Sequence, residues 1–343
     1  MHQERYKEVL ARFCNSEDVV IVAPLNWGLG HAARCIPLIK YLQGHCRKVV
    51  IAADGDALHL LKMEFPNLDS HQLVSYRVKY RFGNILLNVL FMLPSLFRAL
   101  FFDLRKADFL VKKYGAAVII SDNRLTFRNR RTANLYMTHQ YNILHNLKWV
   151  SRLASRLHQY FIHKFDACLV PDFSGSESLC PALSGTEAPE KYFMGLLSRI
   201  EYKPQYAKWD IIFLPTGPEP QRSFFAKNVS EELAKMKEYR IVIVGSRSFS
   251  EVYASPPPHI EVVEWPDAQH MEDLLNASRL LISRSGYTTI MDIFQLPLKA
   301  ILIPTPGQTE QEYLARFHKN RPGFAILEQN HINIIQKTIK SLI

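Results

Sequence analysis

The feature that most constrains this chain is a strand-and-helix alternation that runs through its first half and then starts again. Residues 18–25 (DVVIVAPL) are a short run of branched side chains, the composition of a parallel strand buried on both faces. The run leads through 26–31 (NWGLGH) into 32–42, where Cys35, Ile36, Ile39 and Leu42 recur at helical spacing. The same strand pattern returns at 48–54, 116–122 and 166–172. After a punctuated tract containing Pro204 and Lys208 it restarts at 210–215 and recurs at 240–245, 260–265, 280–283 and 300–304. Apolar strands that end in polar residues and alternate with helices predict an α/β chain with doubly wound parallel sheets. A chain of 343 residues exceeds one ordinary core. The expectation is therefore two Rossmann-like domains, 1–198 and 199–328, with a linker near 196–209 and a cleft between them. A terminal helix is expected in 329–343, capped by Asn330 and carrying Ile332, Ile335 and Ile339 on one side.

Apolar content of 48% with 22% charged residues excludes wholesale disorder. The five cysteines are scattered and form no Cys-x-x-Cys pair, the pattern of a reduced compartment without structural zinc. The opening residues, MHQERYKEVLARF, carry two acids and no uninterrupted apolar core, so no secretory signal is expected and the cytoplasm is. The net charge of +10 is unevenly placed: from His71 to Phe165 there are sixteen Lys and Arg against three Asp and no Glu. Such a stretch suits an anionic lipid surface or a phosphorylated substrate, or serves solubility alone. No RNA-binding aromatic motif or zinc-finger spacing is present, so nucleic acid is not an expected partner.

In open α/β sheets, ligands sit beyond the carboxyl ends of the strands. Gly28 and Gly30 permit close approach of the backbone there, and the following helix start favours an anion. His31 then stands where a base with a pKa near neutrality is useful, or simply caps and packs the helix. Asp122 ends another strand, in position to orient His31 through one ring nitrogen, as carboxylates do in catalytic pairs. The competing reading pairs Asp122 with Arg124, Arg128, Arg130 or Arg131.

The C-terminal half carries a second constellation. Residues 283–293 (SRSGYTTIMDI) follow a strand and open a helix. Arg284, Ser285, Gly286, Tyr287 and Thr288 can present N–H groups, hydroxyls and charge to a diphosphate, while Asp292 can accept from the two hydroxyls of a ribose. The next strand delivers Gln308, Gln311 and Glu312 for sugar hydroxyls. A third strand end supplies Thr216, Gly217 and Arg222. No Asp-x-Asp ends a strand, so no metal is expected, and no cofactor beyond the substrate itself.

Residues 280–325 resemble the donor-binding region of family 28 glycosyltransferases. Arg284-Ser285-Gly286, Thr288 and Asp292 match the family's Arg-Ser-Gly, Thr and acid, with Asp where Glu is usual. Gln311 and Glu312 before Tyr313 match its paired glutamines, the second one changed. Met271 matches a methionine near the uracil, Trp265 sits near the strand end that should flank the base, and 195–199 resembles the interdomain linker motif without its Asn-Pro. The resemblance implies a GT-B fold, a UDP-sugar donor, and inverting, metal-independent transfer to a lipid-linked or cell-envelope glycan acceptor, with no cofactor. The loop 28–35 (GLGHAARC) is also similar to the glycine loop of UDP-sugar hydrolases in pseudaminic acid synthesis, which implies water as the alternative nucleophile. A non-catalytic donor-binding subunit of a membrane glycosyltransferase is the third reading.

Residues 82–102 form a 21-residue stretch with one charge, long enough to raise a membrane span. Pro94, Asn84 and Asn88 argue instead for two helices, the second running from Pro94 to Gly115. Leu93, Phe97, Leu100, Phe101, Leu104 and Val111 are then expected to face the sheet. Arg98, Arg105, Lys106, Lys112 and Lys113 form a basic face with Phe102 and Phe109 among them. Phenylalanines inside a basic stripe suit anionic headgroups, which predicts docking through 82–113 on the inner face of a membrane. A core helix with a solvated basic back is the plainer alternative.

Overall fold

The computed structural model describes residues 5–76, 85–217, 219–245 and 256–343, without the side chains of 85–97. The chain divides into two compact units, Met1–Leu197 and Ser198–Ile343. Unit 1 runs α1 (Arg5–Leu10), β1 (Val19–Pro24), α2 (Gly30–His45), β2 (Lys48–Ala53), α3 (Gly55–Glu64), β3 (Asp69–Gln72) and α4 (Ile85–Tyr114). It continues with β4 (Val118–Asp122), β5 (Ala133–Met137), α5 (Lys148–Ile162), β6 (Ala167–Val170), α6 (Pro181–Ser184) and β7 (Lys191–Phe193). The strands form a parallel sheet in the order β3-β2-β1-β4-β5-β6-β7. The expected strands are all present. The short edge strands β3 and β7, and β5 with its sequence ANLYM, lie outside the apolar runs that announced the others.

Branched side chains make this sheet cohere. Val19, Ile21 and Ala23 of β1, with Val50, Ala52 and Ile119 beside them, pack against Ala107, Leu110 and Val111 of α4. Each fully buried Val, Ile or Leu contributes roughly 1.5–3 kcal/mol. α4 corrects two expectations. It is one helix from Ile85 to Tyr114, continuing through Pro94 rather than starting there. Its inner face carries Ala99, Asp103, Ala107, Leu110 and Val111, while Phe101 and Leu104 are 50% and 40% exposed. The small alanines let the backbone lie close to the sheet, and Asp103 turns inward to a buried arginine. Of the remaining expected inner positions, Leu100 is half-buried, and Leu93 and Phe97 lie outside the described side chains.

Unit 2 repeats the plan with β8 (Trp209–Leu214), α7 (Gln221–Leu233), β9 (Ile241–Gly245), β10 (Ile260–Glu264), α8 (Ala268–Asn276) and β11 (Ser278–Ser283). It ends with α9 (Tyr287–Ile293), β12 (Lys299–Leu302), α10 (Thr309–His318), β13 (Phe324–Ile326) and α11 (Ile335–Leu342). Its parallel order is β10-β9-β8-β11-β12-β13. Phe225, Val229 and Leu233 of α7 share one core with Ile211, Phe213, Ile243 and Ile282 of the sheet and with Ile335 and Ile339 of α11. The C-terminal helix is thus part of this core. It begins at Ile335, and Asn330 lies in a preceding 3₁₀ turn, Gln329–Ile334, rather than at the helix cap. The tract before β8 has no regular structure but is tied to α8: the N–H of Glu201 donates to Glu272 (2.7 Å) and that of Lys203 to Asn276 (2.9 Å).

Candidate active site

Each sheet reverses its strand order between two central neighbours, β1 and β4 in unit 1 and β8 and β11 in unit 2. The loops that diverge there open the crevice in which α/β folds bind ligands. In unit 1, Pro24 and Asp122 are in register, and the N–H of Leu25 donates to the Asp122 carbonyl at 2.9 Å. Gly28 turns the chain at φ +80°, a left-handed conformation that suits glycine, so α2 can start at Gly30. His31 follows in its first turn.

His31 and Asp122 meet: Nδ1 lies 3.0 Å from Oδ1, with the His31 side chain 13% exposed and Asp122 buried. The carboxylate's cation is Arg34, one helical turn after His31, and not Arg124 or its neighbours. Arg34 Nε donates to Asp122 Oδ2 at 2.7 Å and Nη2 pairs with Oδ1. Arg34 Nη1 also stands 2.8 Å from Nδ1 of His139. A guanidinium only donates and a carboxylate only accepts. Arg34 Nη2 also lies 2.9 Å from His31 Nδ1, so that nitrogen stands between a donor and an acceptor. With its proton directed at Asp122, Nε2 is left as the basic nitrogen; with Nδ1 accepting from Arg34, the proton sits on Nε2 instead. Burial would raise the Asp122 carboxyl, but the charges of Arg34 and His31 and their hydrogen bonds hold it below the usual carboxylate range.

A second buried network braces the same loop. Arg124 is fully buried and pairs with Asp54 and, at 2.9 Å, with Asp103. Its Nε donates to the carbonyl of Pro24 (3.2 Å), and Tyr76 donates to Asp103 (2.6 Å). Burial pushes both carboxyls up, and the Arg124 charge pulls them back. Neither Arg34 nor this network was apparent in the sequence.

In unit 2, Leu214 and Ser283 are in register, and Thr216 Oγ1 lies 3.3 Å from Ser283 Oγ. Gly217 has φ +113°, a conformation open to glycine but not to side chains of ordinary chirality. Arg284 is fully buried. Its guanidinium donates to the carbonyls of Ile303, Pro304 and Gln221 and to Gln329 Oε1 (2.6 Å), and lies 3.9 Å over the Phe225 ring. Among the described residues no carboxylate pairs with it. Burial pulls its pKa down to about 9, so it remains charged at neutral pH. Ser285 Oγ donates to the Gln311 carbonyl, Gln311 Oε1 accepts from Thr305 N–H, and Glu312 accepts from Gly307 N–H, each at 2.8 Å. The loops after β8, β11 and β12 are therefore joined around one buried cation. Arg284 Nε, Thr305 Oγ1 and Gln308 Oε1 are buried there without a hydrogen-bond partner among the described residues. Each such atom costs about 1–3 kcal/mol until a polar group meets it.

The other expected donor residues are placed less directly. Gly286 caps α9, whose first turn holds buried Tyr287 and half-buried Thr288. Asp292 is buried and its Oδ1 accepts from Ser198 Oγ at 2.8 Å. Burial raises its pKa to about 6 against the lowering effect of Arg199. Arg222 pairs with Glu219 at 2.7 Å. Trp265 ends the edge strand β10 at φ +46°, three strands from β11, and Met271 is buried in α8. On α4, Arg98, Phe102, Arg105 and Phe109 are all exposed. Arg98 lies 5.6 Å over Phe102, and Arg105 lies 4.3 Å over Phe101.

Two Rossmann-like units, each with its polar residues at the strand-order switch, define the GT-B class of fold found in nucleotide-sugar glycosyltransferases. Residues 222–343 match the glycosyltransferase family 28 C-terminal domain. A curated relative is the UDP-N-acetylglucosamine–N-acetylmuramyl-(pentapeptide) pyrophosphoryl-undecaprenol N-acetylglucosamine transferase of Oenococcus oeni, 26% identical over 130 residues. That match spans 36% of this chain and 35% of the transferase. Among solved structures, the glycotransferase of kitacinnamycin has a TM-score of 0.66 at 11% identity, covering 95% of this chain and 90% of its own. Acinetobacter baumannii MurG has a TM-score of 0.53 at 16% identity over the same shares. The spinosyn rhamnosyltransferase complexed with thymidine diphosphate has a TM-score of 0.61 at 15% identity, covering 94% of this chain and 90% of its own. These likenesses establish the fold.

Proposed function

We propose that this protein is a UDP-sugar glycosyltransferase that passes a sugar, with inversion and without a metal, to a hydroxyl of a lipid-linked or cell-envelope glycan. The observation that carries the reading is the His31–Asp122 pair at the strand-order switch of unit 1, taken in the tautomer that points the Nδ1 proton at Asp122 and leaves Nε2 basic. In the proposed step, Nε2 takes the acceptor proton as the acceptor oxygen attacks the anomeric carbon. The bond from that carbon to the diphosphate oxygen breaks, and UDP leaves with the electron pair. Asp122 orients the imidazole and stabilises the imidazolium. The diphosphate is assigned to the loops bearing Thr216, Gly217, Arg222 and Arg284–Thr288, where a buried guanidinium with no carboxylate partner among the described residues and fixed dipoles stabilise the leaving charge. Asp292, Gln308, Gln311 and Glu312 are assigned to ribose and sugar hydroxyls, and Trp265 and Met271 to the uracil.

The lipid-linked acceptor is supported by the undecaprenol-linked acceptor in the name of the Oenococcus oeni transferase and by the exposed basic and aromatic residues of α4. Arg98, Phe102, Arg105 and Phe109 are assigned to an anionic surface on the inner face of the membrane. Among the described residues no helix is long and apolar enough to cross a membrane, which suits peripheral attachment. The second reading, a UDP-sugar hydrolase, is favoured by one observation: the Arg34 that grips Asp122 belongs to the 28–35 loop that resembles those enzymes. In that case water replaces the acceptor.

Calorimetry with UDP in the presence of chelator tests the donor assignment. Binding without a divalent ion is expected, and binding that appears only when magnesium is restored contradicts it. Release of free sugar in the absence of acceptor would favour the hydrolase.

A further inference from the structure

Helix α5 carries its polarity inside out. Residues 144–165 (LHNLKWVSRLASRLHQYFIHKF) contain no acid. The side of the helix that meets the body of unit 1 mixes polar residues, Ser151, Ser155, His158 and Gln159, with Val150, Ala154, Phe161 and Ile162. Ser151 Oγ donates to the Ile143 carbonyl (2.6 Å), Gln159 Nε2 to Asn142 (3.1 Å), and His158 Nε2 lies 3.0 Å from the Tyr136 hydroxyl. Only Ile162 is fully buried along its length. The large apolar side chains point the other way: Trp149 is 66% exposed, Leu153 63%, Leu157 59% and Tyr160 57%. At about 100° per residue these four span an arc of roughly 80°, with Arg156, Arg152 and Lys148 ranged along one edge. A helix of a water-soluble core turns its apolar stripe inward. This one holds itself to the protein through serine, glutamine and histidine beside a few smaller apolar contacts, and leaves its largest apolar stripe exposed.

The position of α5 adds to the pattern. Ile21 pairs with Ile119, and Ser121, two residues further along β4 and so on the same face, pairs with Tyr136; Tyr136 therefore lies on the sheet face that packs against α4. Helices α4 and α5 therefore cover the same face of the unit 1 sheet, and both present aromatic residues among cations. Two copies of α5 meeting antiparallel would oppose Lys and Arg to Lys and Arg. An acid-free, tryptophan-bearing helix with one basic edge matches the chemistry of an anionic bilayer surface.

We propose that α5 is an interfacial helix: Trp149, Leu153, Leu157 and Tyr160 enter the headgroup–acyl boundary of an anionic membrane while Lys148, Arg152 and Arg156 lie against its phosphates. The proposal deepens the membrane assignment made above for α4 and rests on it, but is independent of which sugar is transferred.

Flotation of the full chain with vesicles of phosphatidylcholine, with and without phosphatidylglycerol, tests it. The wild type is expected to float with the anionic vesicles, less so at high salt, and Trp149 emission to shift blue. Leu153→Ser with Leu157→Ser is expected to weaken binding roughly tenfold or more, since two leucines lose their burial. Melting temperature and UDP affinity should be unchanged, because both leucines are on the surface of unit 1. If that variant binds vesicles like the wild type while Phe102→Ser with Phe109→Ser does not, α4 alone docks and the proposal is overturned. If the wild type does not bind at all, the membrane assignment falls with it. If the leucine substitutions instead abolish a dimer seen by sedimentation and leave vesicle binding intact, the face belongs to a second copy and the proposal is equally overturned.

Discussion

Asp292→Asn is expected to make unit 2 more stable and its ligand binding worse. The carboxyl of Asp292 is buried and has a pKa raised from an ordinary 3.8 to about 6. A shift of about two units corresponds to roughly 3 kcal/mol. Below the unfolded value, both states carry the proton and there is no penalty. As pH rises toward 6 the unfolded chain ionises first, so folding loses stability, and above 6 the full penalty applies. The carboxamide oxygen can still accept from Ser198 Oγ and from the N–H of Arg199, so the local geometry survives. Its new N–H donors need acceptors, which offsets about 1 kcal/mol of the gain. Urea unfolding followed by tryptophan fluorescence should show the variant about 2 kcal/mol more stable than the wild type near pH 7.5 and barely different near pH 4. UDP affinity should fall several-fold as a charged acceptor becomes neutral. A variant no more stable at pH 7.5, or a stability difference that does not change with pH, would refute the reasoning about this carboxyl.

His31→Ala should lower turnover by roughly 10²–10⁴ while leaving UDP affinity nearly unchanged, as measured by steady-state kinetics beside calorimetry. Equal loss of both would move His31 out of the base role. Arg124→Met should destabilise unit 1 by about 3–5 kcal/mol in urea unfolding, because it strands Asp54 and Asp103 in the interior. In that background Asp103→Asn should recover part of the loss.

The central strands were legible because strands buried on both faces read as continuous branched runs, as in Val19–Pro24 and Ile241–Gly245. The His31–Asp122 pair was legible for a related reason: both residues end central strands or the loop beyond them, where the strand order reverses. Arg34 was not, because it lies inside the helical run 32–42, where its spacing marks it as one more helix residue and nothing local shows that its side chain turns back to the strand end. The partners of Arg124 were hidden likewise, since Asp54 and Asp103 lie 70 and 21 residues away from it. The inner face of α4 was misassigned because periodicity weighs phenylalanine above alanine. A buried Asp103 held by Arg124 reverses that order locally. Helix α5 escaped notice for the opposite reason: its apolar period is regular, but it points outward, and period alone does not say which side is the core.

The destination of a labelled sugar is the most direct test of glycosyl transfer by this protein. Purified protein would be incubated with radiolabelled UDP-hexoses and UDP-N-acetylhexosamines, chelator, and a lipid extract containing polyisoprenyl-linked glycans, followed by partition between butanol and water. Label from one donor is expected to enter the butanol phase without added metal, and His31→Ala to slow that transfer by roughly 10²–10⁴. Label recovered only as free sugar in water, at a rate indifferent to the lipid extract, would contradict this expectation.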